Sequence, residues 1–168
     1  MENRANKKWE EIINKSIIDR IPSSKGIYAL VFELTNNMKL STRTLSNKTL
    51  TKGIYVYIGS ARGPGGLRAR IRRHLAKTKK LKWHIDYITS TNHFKARAIV
   101  YALTNQDLEH IIASILEKQL AIPIQRFGST DKPSRSHLFK CNNLTECINT
   151  AVNALELLNL SAKVIRIT

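Results

Sequence analysis

No Asp or Glu occurs between Leu34 and Ile85, and the chain's basic residues are densest in that same gap. Thirteen Lys or Arg side chains fall inside it, carrying +13 of a formal net charge of +16 over 168 residues. Long hydrophobic runs are also missing. No apolar stretch approaches the ~20 residues that a membrane-spanning helix requires. The basic window lacks the large apolar face of an interfacial helix, which argues against a lipid surface as its partner. The opening segment, MENRANKKWEEI, is polar and mixed in charge, so it does not read as a secretory leader and a cytoplasmic location is expected. Cysteine is scarce, with only Cys141 and Cys147. Two cysteines exclude a disulfide framework, and buried reduced thiols are expected of them. Together with His137 they match no standard zinc-ligand spacing. Repeats and low-complexity tracts are absent.

The remaining composition belongs to one folded domain, 1–168, with 42% apolar residues to build a core. Residues 2–19 read as an amphipathic helix with Trp9, Ile12, Ile13 and Ile17 on its apolar stripe. KGIYALVFEL (25–34) and GIYVYIG (53–59) read as strands, the second placing Tyr55 and Tyr57 on one face. Between them, 35–51 reads as a long loop or ragged hairpin end. After the turn GSARGPGG, residues 66–78 form a helix with Leu67, Ile71 and Leu75 every fourth residue, and Arg70 and His74 stacked on one flank. A third strand is expected near 95–103 and a helix at about 106–120, closed by Pro123. A polar loop at 127–136, a short strand at Leu138-Phe139, a helix near 145–159 and a final strand at 163–167 complete the pattern. The order of elements predicts an α+β arrangement.

Gly26-Ile27-Tyr28, followed by Tyr57-Ile58-Gly59, resembles the paired signature of the GIY-YIG nuclease superfamily. The series continues with Gly65-Gly66-Leu67-x-x-Arg70-x-x-x-His74, similar to that superfamily's arginine-bearing helix. Tyr55 through Ala61, Lys80-Leu81-x-Trp83-His84-Ile85-Asp86-Tyr87, and Phe127-Gly128-Ser129-x-Asp131 with Ser136-His137-Leu138-Phe139 resemble one branch more closely. That branch is a stand-alone, archaeal-type group of poorly characterised function. The resemblance covers 25–140. It implies a small three-stranded antiparallel sheet flanked by helices, with an N-terminal helix (1–20) and a C-terminal helix and possible strand (144–168) outside the core.

The resemblance further implies metal-dependent hydrolysis of a nucleic-acid phosphodiester, most simply in DNA repair or processing. Tyr28 and Tyr57 would lie beside the scissile phosphate, Arg70 would clamp it, and His74 would hold or relay a proton. Glu109 would bind Mg²⁺ or Mn²⁺, with Glu117 as the alternative. The superfamily's asparagine has no clear equivalent, and Ser129 or Asp131 is expected near its place. These chemistries suit one another: a planar guanidinium matches two nonbridging oxygens, and a divalent ion on one carboxylate neutralises more charge. Arg62, Arg68, Arg72, Arg73, Lys77, Lys79, Lys80 and Lys82 are expected to meet DNA phosphates. Trp83 is expected to pack and Asp86 to orient His84, while His137 either sits satisfied in the core or positions the 127–136 loop. The rival reading is a non-catalytic nucleic-acid-binding module, DNA or RNA, in which the tyrosines are ordinary strand aromatics and the cations a solvated face.

Overall fold

The computed structural model describes residues 4–40, 42, 48–120, 122–124, 127 and 136–168. An antiparallel sheet with the order β6-β7-β4-β1-β5-β8 forms its middle layer. The strands are β1 (Gly26–Leu34), β4 (Gly53–Ala61), β5 (Phe94–Leu103), β6 (Ile122–Pro123), β7 (Leu138–Cys141) and β8 (Lys163–Arg166). A separate two-stranded sheet, β2 (Met38–Leu40) with β3 (Lys48–Leu50), lies in the stretch read from sequence as a long loop or ragged hairpin end. The helices are α1 (Arg4–Asp19), α2 (Gly66–Leu75), α3 (Asp86–Thr89), α4 (Glu109–Gln119) and α5 (Leu144–Glu156).

The small three-stranded sheet expected from sequence is therefore corrected to six strands. The three strongly apolar segments do occupy its centre, as β4-β1-β5. The short segments at 138–141 and 163–166 extend it by pairing Ile54 with Cys141 and Ile99 with Ile165. Strands this short carry too few side chains to announce which edge they join.

Every residue of β1 except Glu33 is buried, because helices cover both sheet faces. Tyr28, Leu30, Phe32 and Leu34 point into one core with Leu67 and Ile71 of α2. Ile27, Ala29 and Val31 point into the other, with Ile112 and Leu116 of α4 and Ile148 of α5. α1 docks only by its last turns: Ile17, Ile18 and Ile21 are buried, while Trp9 is 63% exposed and Ile12 48%. Its predicted stripe thus lies half in solvent. Cys141, ending β7, and Cys147, in α5, are joined in a disulfide, which corrects the expectation of free thiols. Asn143 caps α5 between them, accepting from the Glu146 N–H at 2.8 Å, and the tight turn brings the two sulfurs together.

Candidate active site

Three glycines decide how α2 and the tyrosines meet. α2 starts at Gly65 (φ 78°) and Gly66 (φ 53°), both left-handed. A Cβ on Gly66 would stand 2.2 Å from the carbonyl oxygens of Ser23 and Ser24. The close approach is useful: Leu67 N–H donates to Ser24 O and Arg68 N–H to Pro22 O, each at 3.0 Å. The first helical amides are therefore spent on the chain's own backbone, and the glycine-rich turn is a docking device rather than a phosphate cradle. Gly59 has a different role. A Cβ there would sit 2.2 Å from the Tyr28 hydroxyl oxygen, so the phenol lies in the space the missing side chain leaves.

Register sets Tyr28 opposite Gly59 and Leu30 opposite Tyr57, which makes the two tyrosines diagonal neighbours on one sheet face. Their ring centroids are 6.5 Å apart. His74, delivered by α2, lies 5.5 Å from the Tyr28 ring and 6.0 Å from that of Tyr57. Its Nε2 is 2.6 Å from the Tyr28 hydroxyl, so one proton is shared along that line whichever tautomer is present. Nδ1 is buried with no hydrogen-bond partner among the described residues. Burial, with Lys79 and Arg70 nearby, pushes the His74 pKa down to about 3. Burial pushes both phenols upward; Glu109 raises Tyr57 further, and Arg70 lowers both. At neutral pH the cluster holds two phenols and a neutral imidazole, with a cation and a carboxylate both near enough to act on it.

Arg70 lies over Trp83, its Cζ 4.2 Å from the ring centroid, and Arg73 lies 4.6 Å from the same ring. Asp86, fully buried, fixes that shelf. Its Oδ2 accepts from Arg73 at 2.6 Å and from the backbone N–H groups of Lys82 and Trp83 at 2.8 and 3.0 Å. Burial alone would raise this carboxyl, but those donors outweigh it and hold the pKa below the usual range. The residue Asp86 orients is thus Trp83, and through it Arg70. His84 packs against Phe127 instead, ring centroids 5.6 Å apart.

Glu109, the first residue of α4, receives the Ser60 hydroxyl at 2.7 Å on Oε2. His137 Nδ1 lies 2.8 Å from Oε1, an ion-pair distance with the ring N–H out of line for a straight hydrogen bond. Glu117 lies two turns further along α4; the carboxylates whose charges bear on the tyrosines are Glu109 and Asp86. Ser60 was not singled out in the sequence, although its place directly after the Tyr57-Ile58-Gly59 signature was the available signal. Among the described residues no group of three or more His, Cys, Asp or Glu side chains is arranged to hold a metal. A zinc cage is thus unsupported. A single oxygen-donor carboxylate still suits Mg²⁺ or Mn²⁺, which keep most of their waters and use substrate oxygens. Ser129 and Asp131 lie outside the described residues.

The eight expected phosphate contacts divide. Arg68 donates to Ile21 O at 2.7 Å, Arg73 is committed to Asp86, and Lys77 donates to Thr91 O and Phe94 O at 2.9 and 3.1 Å. Lys79 caps the end of α2, donating to Arg73 O, His74 O and the Thr89 hydroxyl, and burial lowers its pKa to about 8. Arg62 pairs with Asp107 at 3.2 Å on the surface. Arg72, Lys80 and Lys82 are exposed. Half of the predicted contacts therefore fasten α2 to its surroundings.

Fold and site together define an α+β domain with a tyrosine–histidine–arginine cluster beside a held carboxylate. The chain belongs to the family described as Domain of unknown function DUF123, whose model matches residues 27–160. That match takes in every residue of the site. No curated protein and no solved structure matches the chain significantly. No helix among the described residues is long and apolar enough to cross a membrane.

Proposed function

We propose that this protein is an endonuclease, dependent on Mg²⁺ or Mn²⁺, that hydrolyses phosphodiester bonds in DNA during repair or processing, and that it is related to the GIY-YIG nucleases. The observation that carries the reading is that α2 sets His74 Nε2 2.6 Å from the Tyr28 hydroxyl and its ring 6.0 Å from that of Tyr57, with Arg70 stacked on the neighbouring Trp83 and Glu109 bonded to Ser60 of the strand that bears Tyr57. A guanidinium and a carboxylate facing two hydroxyls are the parts needed to bind a phosphodiester and orient an attacking water. Arg70 binds the phosphate, with Trp83 keeping the guanidinium plane in place. Tyr57, half-buried where Tyr28 is buried, positions the water, and the Tyr28–His74 pair packs behind it. Glu109 would hold the divalent ion, which when bound would supply positive charge to the phosphate. A cytoplasmic location goes with this substrate; Cys147 is wholly buried and Cys141 is 7% exposed, which shields their disulfide from cellular thiols.

Nicking of supercoiled plasmid in Mg²⁺ or Mn²⁺ tests the reading. The wild type should nick, and Arg70→Ala and Glu109→Gln should each lose about 10²-fold or more in rate with the fold intact. The exposed cations Arg72, Lys80 and Lys82 serve one rival equally well, a binding module without chemistry. Tight DNA binding with no cleavage of duplex, branched or damaged DNA, or of RNA, would establish it instead.

A further inference from the structure

Glu109 is held more firmly than an ordinary carboxylate at the start of a helix. Its two oxygens are approached from separate elements: the Ser60 hydroxyl, near the end of β4, donates to Oε2, and His137 Nδ1, just before β7, lies 2.8 Å from Oε1. Both are rigidly mounted. Ser60 lies in the β1–β4 ladder opposite Ile27. The His137 backbone donates to Phe127 O at 2.8 Å and accepts from the Ile58 N–H at 2.9 Å, and its side chain is fully buried. Glu109 itself keeps 14% of its side chain exposed, so it remains within reach of solvent. The order of contacts excludes a nucleophilic triad. Ser60 and His137 both address Glu109 rather than each other, so the serine hydroxyl adjoins a carboxylate and not a histidine. Each carboxylate oxygen has lone-pair capacity beyond the one contact named.

We propose that Ser60 and His137 are positioning residues that preset the Glu109 carboxylate as a ligand for a divalent cation. This rests on the nuclease reading and names how its metal ligand is held. Partners that orient a ligating carboxylate typically govern metal affinity by 10–100-fold. The test is titration of the protein with Mn²⁺ alone, followed by paramagnetic broadening of the Ser60 and Glu109 amide NMR signals. In the wild type these signals broaden first. His137→Phe and Ser60→Ala, which lose the polar contact, should need about tenfold more Mn²⁺ or beyond. His137→Gln and Ser60→Thr, which keep one, should stay close to the wild-type midpoint. Amide dispersion reports folding, and if His137→Phe unfolds, Ser60→Ala decides. Folded Phe and Ala variants with an unchanged midpoint would overturn the clamp and leave the nuclease reading standing. A wild type with no broadening near Glu109 would remove the metal site itself, and the clamp with it.

Discussion

His74 is buried, only 1% exposed, and that has a thermodynamic consequence. Its pKa is about 3 in the folded protein against 6.5 ordinarily. Between those values the unfolded chain binds a proton that the folded one excludes. Stability is therefore full above pH 6.5 and falls with pH, by roughly 1.4 kcal/mol per unit at most. Asp86, held below its ordinary 3.8, adds in the same direction only at lower pH. Urea titrations between pH 7 and 5 should show this loss in the wild type and a flatter profile in His74→Gln. Equal slopes would contradict the buried neutral imidazole. At this scale the sequence was informative about spacing and silent about commitment. Four-residue spacing put Arg70 and His74 on one flank of α2. That Arg73 serves Asp86 while Arg70 remains beside the tyrosines depends on a turn at 82–86 that no periodicity marks.

Among the elements, α2 is the one on which the site depends. Its entry requires left-handed backbone at Gly66 against the carbonyls of Ser23 and Ser24, so Gly66→Ala combines an unfavourable φ with a backbone collision. A loss of about 2–4 kcal/mol is expected, read as a lower urea midpoint with unchanged slope. Gly63→Ala, where nothing lies within 4 Å of the added carbon, should be nearly neutral. Equal effects would show that the docking of α2 on 22–24 is not what the glycines serve. The central strands and α2 were legible because a continuous apolar run or a clear four-residue period survives burial on both sides. The strand pair β2–β3 and the single turn α3 were not, being too short to establish a period. α1 misled in the opposite way: its stripe is regular, yet the body of the protein covers only Ile17 of it.

Across the whole molecule, charge was the strongest signal in the sequence and the one whose meaning changed most. A net +16 predicts a polyanionic partner, but net charge does not say which cations are already engaged. The salt dependence of DNA binding separates them. Arg72→Ala, Lys80→Ala and Lys82→Ala should each reduce the log–log slope by about 0.9, whereas Arg68→Ala and Lys79→Ala should lower stability and leave the slope unchanged. Uniform slope changes across all five would mean that the internal bonds of Arg68 and Lys79 yield to phosphate. The sheet's full width also emerges only at this scale, because its outer strands are fixed by tertiary pairing rather than by their own sequences.

The central claim, that Arg70 and Glu109 act together on one phosphodiester beside Tyr57, is tested most directly by a crystal structure with Mn²⁺ and a DNA oligonucleotide, cleavage being suppressed by Tyr57→Phe. The account predicts an anomalous manganese peak on the Glu109 carboxylate and a nonbridging phosphate oxygen on the Arg70 guanidinium at the same phosphate. DNA bound elsewhere, with Glu109 bare and Arg70 still stacked on Trp83, would contradict it.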